Sequence, residues 1–194
     1  MKKIIFSIVA LFGLFASVHA DGLKDVRYTE KDVENFNEVM TLLEGDGNLP
    51  MNEKVIKVAK HFLGTPYVAY TLELEPEMLT VNTRQTDCIL FVEMCLAMSL
   101  SSNEPDPTFE KYVDILRSLR YRNGVVDGYA SRLHYTSEWI IQGNGNGYFD
   151  DVAKEIGGSR LDQKFFFMST HPDSYKQLKE NPSEVERIKA AEER

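Results

Sequence analysis

The sequence has little cysteine, little histidine and no excess of basic charge. It contains two cysteines and four histidines in 194 residues, and 30 acidic side chains outnumber 22 basic ones. Two thiols are too few for a disulfide-rich scaffold, and no Cys-x-x-Cys or His-x-x-x-His pattern typical of a metal site occurs. The net charge of −8 lacks the basic footprint of a nucleic-acid-binding protein. We therefore expect no metal, no cofactor and no nucleic-acid partner.

Only one apolar run approaches the length of a membrane span, and it lies at the N-terminus. Lys2 and Lys3 precede an apolar stretch over residues 4–15, and Val18-His19-Ala20 places small residues at the positions that signal peptidase reads. Because this stretch is shorter than the roughly 20 residues of a membrane helix, it predicts a signal peptide over residues 1–20. We expect an exported, periplasmic chain without a membrane anchor, whose net charge is −10 once both lysines are removed.

Residues 21–194 are predicted to form a single domain in which helices dominate. A capping box that begins at Ser183 predicts a helix near the end of the chain. Three glycines within residues 143–147 indicate a flexible connection, and residues 165–168 indicate a short buried strand. Four further helices are predicted by hydrophobic periodicity, over residues 30–43, 52–63, 88–100 and 107–119.

The helix that begins at Cys88 is the most apolar segment of the mature chain. Only two of residues 88–100 are polar, which predicts a helix buried on all sides. Thr86 or Asp87 is suited to cap its start. Cys88 then lies in the first turn, where free N–H groups and the helix dipole favour the thiolate. Because the thiolate is the nucleophile of cysteine enzymes, Cys88 is a candidate catalytic residue.

Two other residues of this helix are given structural roles. Cys95 follows Cys88 by seven residues, a separation of about 10 Å along a helix, whereas a disulfide requires Cα atoms within about 7 Å. Cys95 is therefore predicted to be a core residue without a disulfide. Burial of Glu93 without a partner would be costly, so we expect its carboxylate to face an arginine or a backbone N–H group.

Two groups of residues resemble a known family. A helix that ends in Leu63-Gly64-Thr65-Pro66-Tyr67, followed after a loop by Thr86-Asp87-Cys88, resembles the NlpC-type papain-like cell-wall hydrolases. Residues 86–93, together with Arg132-Leu133-His134-Tyr135 and Trp139, resemble more closely one branch of that superfamily, the N-acetylmuramoyl-L-alanine amidase-like family. The resemblance covers roughly residues 30–194 and implies an α+β fold of the papain-like, NlpC type.

The resemblance also implies an activity, the hydrolysis of peptidoglycan fragments. The expected bond joins the lactyl group of N-acetylmuramic acid to L-alanine of the stem peptide. Cys88 would attack the carbonyl carbon to form a thioester, which water then hydrolyses. The expected partner is a muropeptide, which a monomer binds without a cofactor. Residues expected at the substrate are Tyr67, Asp87, Arg132, Tyr135 and Trp139. Three arginines are candidates for stem-peptide carboxylates or are solvated surface residues, namely Arg84, Arg132 and Arg160.

The sequence does not decide which residue is the general base. His61 lies in a predicted helix and His171 precedes a proline, whereas His134 follows Cys88 by 46 residues in an aromatic-flanked segment. His134 is therefore the candidate base. Members of the family typically continue into a Gly-Asp strand and a His-Val-Gly strand that carries the base. Neither motif occurs after His134, so the chain would lack core strands at its C-terminus and His134 would line the cleft or pack in the core.

Three functions are therefore compatible with the sequence. The first is a muramoyl-L-alanine amidase that works through Cys88. The second is a truncated, catalytically inactive remnant that still binds muropeptides. The third is a stem-peptide endopeptidase of the same fold.

Overall fold

The computed structural model describes residues 23–161 and 163–193. The predicted signal peptide, residues 1–20, lies outside the described residues. The helices and strands in chain order are β1 (Val26–Arg27), α1 (Glu30–Leu42), α2 (Met51–His61), β2 (Leu79–Thr80), α3 (Cys88–Ser101), α4 (Phe109–Arg120), α5 (Thr136–Gly145), α6 (Phe167–Thr170) and α7 (Pro182–Glu192). Short 3₁₀ turns lie at Arg122–Gly124, Tyr129–Ser131 and Pro172–Ser174.

The described residues form a helix-rich structure with one small sheet. Strands β1 and β2 pair in parallel, with Val26 opposite Leu79 and Arg27 opposite Thr80. Helix α3 packs between α2 and α4, while α1 contacts both α3 and α4. None of the helices in the described part of the chain has the length and apolar character needed to cross a membrane.

Helix α3 supplies the centre of the core, but its first turns are exposed. Met94, Cys95 and Met98 are at most 3% exposed. Ile89 and Val92 are 37% and 45% exposed, so the prediction of a helix buried on all sides is wrong for its N-terminal part. The apolar sequence shows which side chains avoid water, but it does not show how far the neighbouring helices extend along α3 to cover them.

A buried ion pair joins α3 to α4 and to the sheet. The carboxylate of Glu93 accepts a 2.8 Å hydrogen bond from Arg120 Nε, and Arg120 Nη1 donates to the Thr80 carbonyl at 2.6 Å. The prediction that Glu93 faces an arginine is confirmed. Both charges are buried, and removal of either partner alone would leave an uncompensated charge in the core.

Two predictions for the second half of the chain are wrong. The glycine tract 143–147 is not a free connection, because α5 continues to Gly145. A Cβ atom on Gly143 would lie 2.2 Å from the ring of Phe149, so this glycine permits a close approach of ring and helix. Residues 165–168 form no strand: helix α6 begins at Phe167, and only Met168 of the four is buried. The strand propensity of the phenylalanines is overridden because the side chain of Glu192 accepts from the N–H groups of Met168 and Ser169.

Candidate active site

Cys88 is the first residue of α3 and is exposed to solvent. Asp87 caps the helix, since its Oδ1 accepts from the N–H groups of Ile89 at 3.1 Å and Leu90 at 3.0 Å. The N–H group of Cys88 donates to no acceptor in the described residues. The start of α3 therefore presents a thiol and a free backbone donor side by side at the positive end of the helix dipole.

Cys95 has a different environment from Cys88 on the same helix. Both thiols are free, which confirms that they form no disulfide. Cys95 is buried in the core, and burial raises the pKa of its thiol to about 12. Its thiolate is negligible at neutral pH, so the nucleophilic chemistry of the pair belongs to Cys88.

The segment after α2 pairs with the segment before α3. Gly64, at φ +90°, turns the chain away from α2, as its position after the helix predicts. Thr86 then donates its N–H to the Pro66 carbonyl at 3.1 Å and accepts from the N–H of Val68 at 2.9 Å. This short parallel bridge places Tyr67 opposite Thr86, two residues before Cys88. The two motifs that resemble the cell-wall hydrolases thus adjoin in space.

The surface beside Cys88 is apolar and open. Val92, one helical turn after Cys88, shares its face of α3 and is exposed, as is Ile89. Tyr67 is 71% exposed. Tyr70, which follows it, is 82% exposed and has a φ of +65°, a left-handed backbone conformation that a non-glycine residue adopts at a cost.

A buried carboxylate anchors the loop that leads to Cys88. Asp32 of α1 is fully buried and accepts from the N–H and Oγ1 of Thr83, both at 2.8 Å, and from Arg84 Nε at 3.3 Å. Its other oxygen accepts from the N–H and hydroxyl of Thr29. Burial opposes ionisation, but the hydrogen bonds from Thr83 and Thr29 outweigh it and lower the pKa of Asp32.

The role of Asp32 in anchoring the loop before Cys88 is not predicted from the sequence. The spacing of Thr29 and Asp32, a capping pair three residues apart, was the available signal. That signal explains the bonds to Thr29, whereas Thr83 lies 51 residues away in sequence and no local pattern indicates the contact.

Arg132 holds a loop of the protein in place. Its guanidinium is buried and donates to both oxygens of Glu77, to Glu73 at 2.8 Å and to the Leu72 carbonyl at 3.1 Å. It also lies 5.0 Å from the centre of the Tyr129 ring. These contacts fix residues 72–77, which connect Tyr70 to β2. Its predicted contact with substrate stays a prediction.

His134 is partly buried and contacts Tyr129. Its Nε2 contacts the Tyr129 carbonyl at 2.8 Å, and the two rings are 4.3 Å apart. Burial lowers the pKa of His134 to about 3. The hydrogen bond with Tyr129 acts to raise this pKa, whereas the positive charges of Arg132 and Arg122 lower it further. No hydrogen bond or ion pair in the described residues joins His134 to Cys88, and its assignment as base stays a prediction.

The remaining histidines and aromatic candidates also have partners of their own. His61 pairs with Glu38 at 3.5 Å, and His171 stacks on Phe167.

The Tyr135 hydroxyl donates to Glu192 at 2.7 Å, and burial together with that carboxylate raises the pKa of Tyr135 to about 12. Trp139 is buried and stacks on Phe149 at 4.9 Å. Tyr67, Asp87 and Cys88 are therefore brought together, whereas the contacts of Arg132, His134, Tyr135 and Trp139 are with other parts of the chain.

No group of three or more histidine, cysteine, aspartate or glutamate side chains in the described part of the chain is arranged to hold a metal ion. The chemistry that the site offers is that of a thiol at a helix start, with a backbone donor beside it.

Comparison with known proteins places these features in a family. Residues 57–194 match the model of the AmiA-like family, described as N-acetylmuramoyl-L-alanine amidase-like. The chain belongs to the N-acetylmuramoyl-L-alanine amidase-like family. The matched region contains Cys88, His134 and all five predicted substrate residues, whereas Asp32 lies outside it.

Solved structures of two Bacteroides proteins are similar to the chain. The chain is 37% identical to an N-acetylmuramoyl-L-alanine amidase from Bacteroides uniformis ATCC 8492, with a TM-score of 0.69 over 74% of this chain and 60% of that one. It is 39% identical to a structure named as a putative xylanase from Bacteroides fragilis, with a TM-score of 0.61 over 70% of this chain and 59% of that one. The chain therefore spans about 60% of the length of these solved proteins. No curated protein matches the chain.

Proposed function

We propose that this amidase-like chain contributes the nucleophile, Cys88, to hydrolysis of the amide between N-acetylmuramic acid and L-alanine in muropeptides. The observation that carries the proposal is the exposed Cys88 thiol at the capped start of α3, beside a backbone N–H without an acceptor in the described residues. Family membership supports the substrate class, and the pairing of Tyr67 with Thr86 supports a substrate-binding surface next to the thiol.

The proposed reaction follows from the arrangement at the start of α3. The thiolate of Cys88 attacks the lactyl carbonyl carbon, and the N–H of Cys88 donates to the oxygen that becomes negative. The carbon–nitrogen bond breaks when the amine of L-alanine takes up a proton, which leaves a thioester. Water then adds to the thioester and releases the lactyl carboxylate and the thiol.

His134, the candidate base, is not paired with the Cys88 thiol in the described structure. A histidine whose pKa lies near 3 is neutral at pH 7, and it cannot form a standing ion pair with a thiolate. For His134 to act as the base, its ring must leave the Tyr129 carbonyl. Arg132, Tyr135 and Trp139 are proposed as cleft residues on the family resemblance, with Tyr67 and Asp87 nearest to the thiol.

The wider setting is proposed on the same grounds. An amidase that acts on peptidoglycan works outside the cytoplasmic membrane, which agrees with the signal peptide predicted over residues 1–20. We propose an exported monomer of α+β, papain-like fold. The helix start that carries Cys88 supports that fold.

A second function is favoured by one observation. Cys88 has no histidine partner in the described residues, and such a site can bind a muropeptide without cleaving it. An endopeptidase of the same fold would instead cut within the stem peptide.

Mass spectrometry of products from N-acetylmuramoyl-L-alanyl-γ-D-glutamyl-meso-diaminopimelate, whose glutamate α-carboxylate is free, separates the three functions. The amidase releases free N-acetylmuramic acid and intact tripeptide, the endopeptidase releases a muramoyl peptide shortened at its C-terminal end, and the binding protein releases neither. We expect amidase products that disappear in Cys88→Ala and persist in Cys95→Ala, the matched thiol control. Amidase activity that survives in Cys88→Ala would overturn the proposed mechanism.

A further inference from the structure

Arg84, four residues before Cys88, has a guanidinium group that is only partly used by the protein. Its Nε donates to Asp32 at 3.3 Å, while no hydrogen bond in the described residues uses its two terminal nitrogens. The side chain is 43% exposed. Arg132, which the sequence also offers for a carboxylate, is buried and already holds Glu73 and Glu77. Arg84 therefore keeps two terminal nitrogens that could donate together to a carboxylate near Cys88.

The orientation of Arg84 is fixed from the protein side. Asp32 is fully buried and is held in turn by Thr29 and Thr83, so its carboxylate does not move to follow the arginine. A guanidinium held through Nε by one carboxylate presents its two terminal N–H₂ groups outward as a planar fork. That fork matches the geometry of a second carboxylate.

The position of Arg84 relative to the nucleophile is also restrained. Before Arg84, the backbone is anchored by the hydrogen bond from the Thr83 N–H to Asp32. After Arg84, it is anchored by the backbone hydrogen bonds of Thr86 with Pro66 and Val68. Four residues span at most about 14 Å, and the chain bends at residues 83–85. The carboxylate of Asp87 accepts hydrogen bonds from two helix N–H groups and forms no ion pair with Arg84 in the described residues. The charge of Arg84 is therefore available to attract an anion. The whole chain is acidic, with a net charge of −8, so an anionic substrate depends on such a local cation.

We propose that Arg84 is a specificity-determining residue that binds the free α-carboxylate of the D-glutamate that follows the L-alanine. This inference rests on the proposed function. In a muramoyl-L-alanyl-D-glutamate stem, that carboxylate lies about two residues from the attacked carbonyl, roughly 7 Å away at about 3.5 Å per residue. Arg84 belongs to the same loop that positions Cys88 and precedes it by four residues.

Two ligands that differ only at this carboxylate test the proposal. They are N-acetylmuramoyl-L-alanyl-D-glutamic acid and its α-amide, N-acetylmuramoyl-L-alanyl-D-isoglutamine, and both retain the γ-carboxylate. Binding is measured by calorimetry on the full chain in the Cys88→Ala background, so that no turnover occurs. A charge-assisted hydrogen bond predicts that the free acid binds roughly ten- to hundredfold more tightly than the amide.

Variants of Arg84 then show whether the preference comes from this residue. We expect Arg84→Gln to remove the preference by weakening binding of the acid alone, and Arg84→Lys to retain part of it. Arg187→Gln is the matched control, since Arg187 is 40% exposed and pairs with Asp127 and Glu184 on another face. It should leave the preference unchanged. Circular dichroism of each variant checks that the fold persists.

The outcomes separate this inference from the proposed function. A preference for the acid that persists in Arg84→Gln, no preference at all, or no binding of either ligand would overturn the role of Arg84. Turnover by the native chain is a separate measurement. Equal turnover of acid and amide would leave the amidase function intact and refute the carboxylate specificity. Selective binding of the acid without turnover would support the carboxylate specificity and refute the amidase function.

Discussion

The two thiols of α3 lie seven residues apart and meet different surroundings. Cys88 is exposed beside a free N–H group, whereas Cys95 is enclosed in the core with a pKa near 12. A thiol reagent applied to the folded protein therefore reports on Cys88 alone, and Cys88→Ala should be unlabelled until urea exposes Cys95. This selectivity makes the pH dependence of labelling a direct probe of the groups that lie beside Cys88.

The role of His134 can be tested through that pH dependence. We expect the rate of Cys88 alkylation by iodoacetamide to show the same pH profile in His134→Gln as in the native chain, because the imidazole is bound to the Tyr129 carbonyl. The measurement is the labelling rate between pH 5 and 10 in the absence of substrate. A profile displaced to higher pH in His134→Gln would instead identify His134 as the partner of the thiolate, as the sequence predicts.

At the scale of elements, the start of α3 depends on Asp87. Its carboxylate accepts from Ile89 and Leu90, so Asp87→Ala should lower the free energy of unfolding by about 1 kcal/mol. Asp87→Asn retains an acceptor oxygen and should keep most of that stability. Urea unfolding of the two variants gives the comparison. Equal losses in both would mean that the negative charge, rather than the cap, supplies the stabilisation.

The same elements show how far the sequence predicts the fold. Helices α1 to α4 lie within two residues of their predicted bounds, because apolar periodicity and caps such as Asp87 are local signals. The contact between Asp32 and Thr83 spans 51 residues, and local patterns carry no information about it. For the same reason the sequence predicts a thiol at a helix start, but not the buried carboxylate that anchors the loop before it.

At the scale of the whole molecule, partly buried His134 and buried Asp32 make stability depend on pH in different ranges. His134 has a folded pKa near 3, below its ordinary value of about 6.5. The unfolded chain therefore binds more protons than the folded chain between these values, and the stabilisation present above pH 6.5 is lost as the pH falls toward 3. Asp32, whose folded pKa is also lowered, contributes above its ordinary value near 4 and loses that contribution at more acidic pH.

A comparison at pH 5 and pH 7 isolates the histidine, because unfolded carboxylates are still largely ionised at pH 5. The free energy of unfolding of the native chain should fall on acidification by at most about 1.4 kcal/mol for each pH unit below 6.5. His134→Gln should lack most of this fall, and His61→Gln on the surface of α2 serves as the control that retains it. Urea unfolding midpoints at the two pH values supply the measurement. If His134→Gln and the native chain lost equal stability, the imidazole would be accessible to protons in the folded state, and its contact with the Tyr129 carbonyl would not be the state that dominates in solution.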